Sequence, residues 1–581
     1  MLRRYCLGFV LLLLLVTASV SDGLGGRCVQ AADRPNVLLI CVDDLKPIAG
    51  CYGDQWAKTP ALDRLAARGI RFERAYCNQA VCSPSRNALM TGLRPQTLGI
   101  YDLGTHFRRA VPTAVTLSQH FRQQGYVAEG LGKILHTGHG NVDDAASWSV
   151  PSWRARGPAY ADASNAADPQ SGRDAKGAAW ESADVSETQY ADGQTAVEAI
   201  RRLRVAKERG TPFFLAVGFL KPHLPFVAPK KYWDLYERES FTVAARQTAP
   251  EGAPAYAGQA GGELRNYRGI PARGVLPEEQ QRTLIHGYYA AMSYMDAQAG
   301  LVLDELERLD LADNTIVVLW GDHGWHLGDH GMWCKHTNYE QAARIPLLVA
   351  GPGVPRGAVS RSLVETVDLY PTLAELAGLP APTPVDGRSF AGVLREPDRP
   401  HREHAIHVYP RTVAGRGSVL GRAIRTERYR LVEWKVPGAS AAEAELELYD
   451  YEADPEETRN HAGTQPEVVQ QLQALLAGHP EAKPQIRAEA GETGGGATGG
   501  SGAARDRNGM FDRRDTNGDG KLSRVEFLAS QPDADSGSAR FIKMDRDGDG
   551  TLSRGEFVGT GSKSAKPGDS AGSRVPGSDP K

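Results

Sequence analysis

Between residues 36 and 380 the chain alternates short apolar runs, rich in branched residues, with stretches of helical pattern. This alternation is typical of an α/β domain with a largely parallel sheet. The clearest predicted strands are residues 36–42, 126–130, 213–217, 315–320 and 345–350. One helix is predicted at 59–69, with Thr59 as N-cap and Pro60 in the first turn, and a longer one at about 284–308.

The 581 residues are too many for one ordinary domain. After residue 387 strand-like pairs at 423–425 and 428–434 precede an amphipathic helix at about 466–476, which predicts a smaller α+β subdomain. A stretch of Gly, Ala, Ser and Thr then predicts a flexible linker. The predicted units are a signal peptide (1–31), the α/β domain (32–387), a second subdomain (388–485), a linker (486–505), a tethered module (506–560) and a disordered tail (561–581).

The first residues have the pattern of a secretory leader. Arg3 and Arg4 precede an apolar run at 7–16, and small residues follow up to a cleavage point after Ala31. A membrane anchor is the alternative, but the run is shorter than the roughly 20 residues that span a bilayer. We expect an exported protein, periplasmic or extracellular, without an integral membrane span in the mature chain. The net charge of -3 gives no indication of a nucleic-acid partner.

The chain has seven cysteines. Two lie in the predicted leader, and the remaining odd number is a poor basis for a disulfide scaffold. Cys82 differs from the others in its setting, CSPSRNALMTG. With Ser83 as N-cap and Pro84 as first residue, a helix would present Cys82 at its N-terminus, where backbone donors favour an anion. The alternative is an inert buried cysteine near a turn.

Acidic residues follow two of the predicted strands. Asp43 and Asp44 come directly after the first strand, and Asp322 and His323 follow the strand at 315–320. Adjacent carboxylates at the carboxyl end of a buried strand are costly unless they coordinate a cation, and ligands of open α/β sheets lie at that end. The sequence therefore predicts a metal site, and solvated turn aspartates are the alternative.

Basic residues also follow predicted strands. Lys133 and His136 lie in GKILH, His223 in KPHLPF and Lys335 in MWCKH. A single His or Lys in a loop is usually structural or merely exposed, so only the joint arrangement indicates a site that could bind an anion and move protons.

The tail carries two calcium-loop patterns, DTNGDGKLSRVE and DRDGDGTLSRGE, which predict a pair of EF-hands in an all-α module. Phe511, Phe527, Phe541 and Phe557 are available for a shared core, and an acidic disordered tail is the alternative. The predicted ligands are Asp515, Asn517, Asp519, Lys521, Ser523 and Glu526 in the first loop and Asp545, Asp547, Asp549, Thr551, Ser553 and Glu556 in the second, with Lys521 and Thr551 contributing carbonyl oxygens.

At Cys82, Pro84, Ser85 and Arg86 the chain resembles the sulfatases, whose CxPSR signature is read by the formylglycine-generating enzyme. The resemblance implies an alkaline-phosphatase-like fold and conversion of Cys82 to formylglycine. The aldehyde hydrate offers two hydroxyls, one to attack sulfur and one to drive elimination of sulfate, whereas a serine would stay trapped as its sulfate ester.

The resemblance also implies residue roles. One calcium would be held by the formylglycine oxygen at position 82 and by Asp43, Asp44, Asp322 and His323. Because nitrogen suits calcium poorly, His323 either binds the metal or orients its neighbours. The other implied roles are catalytic: Arg86 and Lys133 steady the formylglycine, His136 acts as base, His223 protonates the leaving group and Lys335 binds sulfate.

A finer resemblance, over residues 36–451, is to iduronate 2-sulfatases, through VDDLKPIAGCYGD, GKILH, FFLAVGFLKPHLPF and GDHGWHLGDHGMW. It implies a sugar pocket shaped by Ile100, Tyr101 and Trp325, with Lys335 also contacting substrate. His336 departs from the family's usual Tyr, which leaves the sugar open. The alternatives are another sulfated polysaccharide, a phosphonate or phosphate ester substrate, or a noncatalytic calcium-dependent binding protein.

Overall fold

The computed structural model describes residues 34–168, 176–259 and 261–486, and in the C-terminal region residues 511, 514, 515, 517, 519–529, 541, 542 and 544–558. The predicted leader, the predicted tail and the predicted linker from residue 487 onward lie outside the described residues. The chain divides into two compact units, 1–496 and 497–581, which are described separately below.

A seven-stranded sheet forms the centre of the first unit, in the order β15-β2-β14-β10-β1-β7-β4. Its strands are β1 (Asn36–Val42), β2 (Ile70–Phe72), β4 (Val127–Gly132), β7 (Phe213–Phe219), β10 (Thr315–Gly321), β14 (Leu347–Ala350) and β15 (Ala358–Ser360). The four strands β10, β1, β7 and β4 are parallel, whereas β14 runs antiparallel to β10. The predicted, largely parallel α/β sheet is therefore confirmed.

Strand β1 is buried along its whole length because both faces of the sheet are covered. Leu38, Ile40 and Val42 face one hydrophobic cluster, while Val37 and Leu39 face the other. The period of two thus divides one apolar run between two cores. The layers are helix, sheet and helix, as expected for this class.

The helices of this unit are α1 (Pro60–Arg68), α2 (Cys82–Thr91), α3 (Pro95–Leu98), α4 (Leu117–Gln123), α5 (Ala191–Arg209), α6 (Lys230–Trp233), α7 (Glu278–Arg308), α8 (Glu340–Ala343), α9 (Leu369–Leu376), α10 (Ala391–Arg395) and α11 (Pro466–Ala477). Short strands are β3 (Ala75–Tyr76), β5 (Lys176–Ala178), β6 (Trp180–Ala183), β8 (Phe226–Pro229), β9 (Tyr267–Arg268), β11 (His326–Leu327), β12 (Trp333–Cys334), β13 (Arg344–Ile345) and β16 (Val364–Glu365). Helix α7 begins six residues before the predicted start, directly after Pro277, with Glu278 and Glu279 in its first turn.

The second part of this unit is an antiparallel sheet of β17 (Ala405–Val413), β18 (Gly417–Arg425), β19 (Tyr429–Lys435) and β20 (Glu445–Asp450). Helix α11 packs on one face, where Leu472 and Leu476 meet Ile424 and Leu431. The other face meets Tyr339 through Val432 and Trp434.

In the C-terminal unit, β21 (Lys521–Ser523) pairs antiparallel with β22 (Thr551–Ser553), and α12 (Arg524–Ala529) and α13 (Arg554–Val558) follow these strands. The module is therefore not purely helical. The four phenylalanines proposed for its core are buried in one cluster with Leu522 and Leu552. Among the described residues of the whole chain, no helix is long and apolar enough to cross a membrane.

Candidate active site

The pair Asp43 and Asp44 lies beside the pair Asp322 and His323 because β1 and β10 are neighbouring parallel strands. The Asp322 amide donates to the Val42 carbonyl at 3.1 Å, and the Asp44 amide donates to Oδ1 of Asp322 at 3.0 Å. Asp44 has φ 60°, a left-handed conformation that aspartate tolerates better than most residues. The sharp turn after β1 thus brings the carboxylates from two distant parts of the sequence into one buried cluster.

Cys82 is the first residue of α2, and Val81 is its N-cap. The prediction of Ser83 as N-cap and Pro84 as first residue was wrong by two positions. Pro84 is tolerated as the third residue because the first amides of a helix need no intrahelical acceptor. Cys82 still lies at the helix N-terminus, where its Sγ is 3.4 Å from Nε2 of His323 and 3.6 Å from Nζ of Lys335.

Arg86 joins the two pairs through Asp43 and Asp322. Its Nε donates to Oδ2 of Asp322 and its Nη2 to Oδ1 of Asp43, each at 3.0 Å, and its Nη1 donates to the Lys133 carbonyl. These three side chains, of Arg86, Asp43 and Asp322, are fully buried. A buried guanidinium in such a place is stable only when its charge is matched, so Arg86 acts here as an internal counterion.

Two lysines complete the charge balance. Nζ of Lys133 binds Oδ2 of Asp43, and Nζ of Lys335 donates to Oδ1 of Asp44 at 2.6 Å. Although burial acts in the opposite direction, Lys133, His223 and Arg86 hold the pKa of Asp43 well below its usual value. Burial and the neighbouring charge of Asp43 raise the pKa of Asp322 to about 6.

The donor set fits a divalent cation. Oδ2 of Asp44 is buried and has no hydrogen-bond partner among the described residues. Burial lowers the pKa of His323 to about 3, and its Nδ1 donates to the Gly324 carbonyl at 3.1 Å. Its Nε2 is then an unprotonated acceptor 3.3 Å from Oδ1 of Asp44 and 3.5 Å from Oδ1 of Asp322. Lys335 offsets the charge of Asp44, and a divalent cation would satisfy the acceptors that remain.

Candidate ligand atoms fall into two overlapping groups, and within each group the atoms lie within 4.8 Å of one another. Both groups contain Asp43 and Cys82; one adds Asp322 and His323 and the other adds Asp44 and His223. All five residues of the predicted calcium site are therefore brought together, with His223 beside them.

His223 lies on the loop between β7 and β8, with 21% of its side chain exposed. Its Nδ1 donates to the Leu224 carbonyl at 2.5 Å, and its Nε2 is 3.8 Å from Oδ2 of Asp44. Asp192, in the first turn of α5, fixes this loop by accepting the amides of Leu220 and Lys221, both at 2.8 Å.

Glu263 is a site residue that the sequence reasoning missed. It belongs to a short 3-10 turn at Gly262–Asn266, where its Oε2 is 3.6 Å from Nε2 of His223 and its carboxylate pairs with Lys176. Although burial acts in the opposite direction, His223, Lys335 and Lys176 lower the pKa of Glu263. No motif or periodicity marks this irregular segment, so the sequence contained no signal for it.

The structure places His136 next to another histidine. Its Nε2 is 3.2 Å from Nδ1 of His139, and the two rings stack at 5.4 Å. Burial and the charge of Lys133 lower the pKa of His136 to about 3, and its Nδ1 is buried without a partner in the described part of the chain. Its role as base stays a prediction.

The predicted aromatic contacts to substrate are buried. Trp325 is 1% exposed, and its ring lies 5.2 Å from Nζ of Lys335 and stacks on Tyr288. Tyr101 is 7% exposed, and its hydroxyl donates to the Lys483 carbonyl at 2.6 Å. In this structure the ring of Trp325 packs against the ammonium group of Lys335. A direct sugar contact for Trp325 or Tyr101 stays a prediction.

The acidic loops of the C-terminal unit are exposed. Asp545, Asp547 and Asp549 lie within 4.8 Å of one another. In the first loop the carboxylate of Asp515 accepts the amides of Asp519 and Gly520. In each loop the final glutamate accepts the amide and hydroxyl of a serine, Ser523 for Glu526 and Ser553 for Glu556.

The fold and the buried centre at the end of β1 define a hydrolase of the alkaline-phosphatase-like class. Family models agree with this class. The Sulfatase model matches residues 35–379, the model for the C-terminal region of N-sulphoglucosamine sulphohydrolase matches 328–481, and the EF-hand model matches 508–529 and 539–558. The chain therefore belongs to the sulfatase family, and it is a sulfatase with an EF-hand region at its C-terminus.

Curated relatives and solved structures are consistent with this assignment. Iduronate 2-sulfatase of Mus musculus is 34% identical over 507 residues, covering 74% of this chain and 91% of the relative. The Homo sapiens enzyme is 36% identical, covering 63% and 74%. A phosphonate monoester hydrolase from Silicibacter pomeroyi (TM-score 0.63, 23% identity, 77% of this chain and 95% of that one) shows the likeness of fold alone.

Proposed function

We propose that this sulfatase removes the 2-sulfate of iduronate in glycosaminoglycans, using formylglycine made from Cys82 and one active-site calcium. The observation that carries the proposal is the position of Cys82, at the head of a buried helix with Sγ beside His323 and Lys335. The similarity to two iduronate 2-sulfatases, at 34% and 36% identity, supports the choice of sugar.

The state of the thiol supports conversion to formylglycine. Burial and the charge of Asp43 raise the pKa of the Cys82 thiol well above its usual value, so the unmodified side chain stays protonated near neutral pH. A protonated thiol is a poor nucleophile. When present, formylglycine supplies a hydroxyl nucleophile on its hydrated aldehyde, and calcium supplies positive charge at that oxygen and at the sulfate.

The surrounding residues divide into supports and substrate contacts. Arg86 donates to Asp43, Asp322 and two backbone carbonyls, which supports a positioning role for its guanidinium. Nζ of Lys335 lies 3.6 Å from Sγ of Cys82, a distance that suits contact with a sulfate oxygen once sulfur approaches position 82. Lys133, which is paired with Asp43, would also contact a sulfate oxygen.

His223 is the proposed acid for the leaving sugar oxygen. Because its Nδ1 donates to the Leu224 carbonyl, Nε2 is the atom that would hand over a proton. Nε2 faces the carboxylates of Asp43, Asp44 and Glu263 at 3.6 to 4.0 Å. The partial exposure of His223 suits a group that must meet a substrate arriving from solvent.

The remaining assignments are part of the same proposal. The chain would be exported by its leader and matured by a formylglycine-generating enzyme, with the domain boundaries given by the sequence. The EF-hand loops would bind up to two further calcium ions. His136 would act as base after its ring rotates away from His139, which lies 3.2 Å from its Nε2. Its Nδ1 is buried without a partner among the described residues.

The test is sulfate release from a disaccharide with a 2-sulfated iduronate at its non-reducing end, using protein co-expressed with a maturation enzyme and checked by peptide mass at position 82. We expect release from this disaccharide and none from a matched disaccharide sulfated only at the glucosamine 6-position. If a converted sample releases nothing, the iduronate assignment is wrong, and other sulfated sugars and then phosphonate esters become the substrates to assay.

A further inference from the structure

A surface groove of about 850 Å³ lies along β6, α6 and the start of α7. Its lining is aromatic at the base and charged at the rim. The residues that matter are Trp180, Trp233, Tyr236, Arg238, Arg268 and His286.

Two buried polar groups of this lining have no partner in the described part of the chain. They are Nε1 of Trp233, a residue that is 6% exposed, and Nδ1 of His286, which is 7% exposed. Their rings are adjacent, with centroids 4.8 Å apart. Buried polar atoms are almost always hydrogen-bonded, so a pair of unpartnered ones in a groove indicates a bound polar group.

The two groups have opposite hydrogen-bonding character. Nε2 of His286 lies 2.8 Å from the Trp233 carbonyl and donates to it. Burial lowers the pKa of His286, so the ring is neutral and Nδ1 is an acceptor. The Trp233 indole can only donate. A hydroxyl group, which both accepts and donates, satisfies the two together, and a sugar carries several hydroxyls on a face that packs against aromatic rings.

The rim of the groove carries both signs of charge: Lys230 pairs with Asp234, and Asp162, Glu237, Arg238 and Arg268 also line it. Arg238 is exposed and has no ion pair among the described residues, and Arg268 donates only to the Ser164 carbonyl. In contrast, both oxygens of Glu181 already accept hydrogen bonds, from Tyr190 and from backbone amides among others. An anionic substituent on the sugar therefore meets an unpaired guanidinium.

We propose that this groove is a second saccharide-binding site. It would hold an internal residue of a sulfated polysaccharide, with a sugar hydroxyl between Trp233 and His286 and a sulfate or carboxylate at Arg238. The inference rests on the proposed function for its choice of polymer, and it adds that long substrates bind more tightly than their terminal disaccharide.

The test compares a disaccharide with a dodecasaccharide of the same 2-sulfated iduronate repeat. Arg238→Ala removes the rim charge, and Trp233→Phe removes the indole donor while keeping an aromatic ring. We expect each to raise KM for the dodecasaccharide about fivefold and to leave kcat and KM for the disaccharide unchanged. Arg361→Ala, at an exposed arginine outside the groove, is the charge-matched control and should change neither.

Calorimetric binding of the dodecasaccharide to proteins that also carry Cys82→Ala separates this inference from the proposed function. Weaker binding by the two groove variants supports the site even if the wild type releases no sulfate from either sugar, which would sink the proposed function alone. Unchanged dodecasaccharide binding overturns the site, and water then accounts for the unpartnered polar atoms of the groove. An equal loss for both sugars also overturns it, because the variants would then act through the catalytic centre.

Discussion

Asp44 and Asp322, at the carboxyl edge of the central sheet, are 278 residues apart in the chain and fully buried. The carboxylates of each C-terminal loop instead lie close together in the sequence and are largely exposed. The sheet-edge carboxylates are neutralised by Arg86, Lys133 and Lys335. The loop carboxylates mostly accept amides of their own loop, with Lys521 as a cationic contact to Asp549. We therefore expect the two candidate calcium regions to depend on the ion to different extents.

A buried carboxylate left unpaired costs several kcal/mol, so the protein's own cations must hold the sheet-edge cluster together before a metal arrives. An EF-hand loop instead concentrates negative charge that the ion itself must offset. On the proposed function we therefore expect the catalytic centre to be a preformed site and the C-terminal module to depend on calcium for its order.

The largest effect tests whether the preformed centre is built around position 82. Cys82→Ala removes the thiol that conversion to formylglycine requires, so on the proposed function the hydroxyl nucleophile cannot form, and we expect at least about a 10⁴-fold loss of kcat in sulfate release. The melting temperature should stay within a few degrees, because α2 keeps its other buried contacts. Turnover above a trace in a homogeneous sample would refute the mechanism.

Chelation tests the comparison directly. After treatment with a strong chelator we expect activity to fall at least about 100-fold and protease cleavage to concentrate within residues 506–560. Residues 34–486 should remain uncut, because the cations around Asp43, Asp44 and Asp322 persist. Added calcium should restore both activity and protection. Unfolding of the catalytic domain on chelation would show that its centre also depends on the ion.

A third prediction asks how much buried charge pairing stabilises the fold without any metal. Despite burial, Arg425 and Arg430 lower the pKa of Glu340 from 4.5 to about 2. Its contribution is present in full above about pH 4.5 and is lost as the pH falls toward 2. Glu340→Gln should therefore lower the free energy of unfolding by up to about 3 kcal/mol at pH 7, and less at pH 3.

Urea unfolding at both pH values measures this difference. Glu307→Gln is the matched control, because Glu307 pairs with Arg68 at the surface and is 51% exposed. We expect that control to change stability by less than about 1 kcal/mol. A cost for Glu340→Gln that does not shrink at acid pH would contradict the assigned ion pairs.

The smallest expected effect concerns the C-terminal module. A chain ending at Gly499 should retain kcat and KM for the disaccharide within about twofold, because every residue assigned to the centre precedes that point. Sulfate release by the truncated and full-length proteins, matched for conversion at position 82, measures this. Lost activity in a folded truncation would show that the two regions are coupled.

The predictions from sequence were most accurate for buried strands that end at candidate site residues. The run at residues 36–42 coincides with β1, because a strand buried on both faces is apolar throughout and its end is marked by Asp43. The strand at 315–320 was also located, to within one residue. The parallel pairing of these two strands then brings Asp44 against Asp322 without any further signal.

The predictions from sequence were least accurate for site residues that lie on irregular segments. Glu263 and the Asp192 support of the His223 loop depend on tertiary contacts that no periodicity encodes. The predicted strand at 345–350 is divided at Pro346, which lacks an amide, into β13 and the antiparallel β14. The orientation of His136 toward His139 depends on side-chain packing that the motif GKILH does not express.

The burial of α2 has a consequence for the timing of biogenesis. Every residue of Cys82–Thr91 is buried, so a modifying enzyme that must grip Cys82, Pro84 and Arg86 as an exposed peptide cannot reach them once the domain has closed. On the proposed function, maturation and folding are competing first-order processes acting on one nascent chain. The active fraction of the secreted product is then set by the ratio of the maturation rate to the folding rate. In a molecule that folds first, Cys82 stays an unmodified thiol permanently.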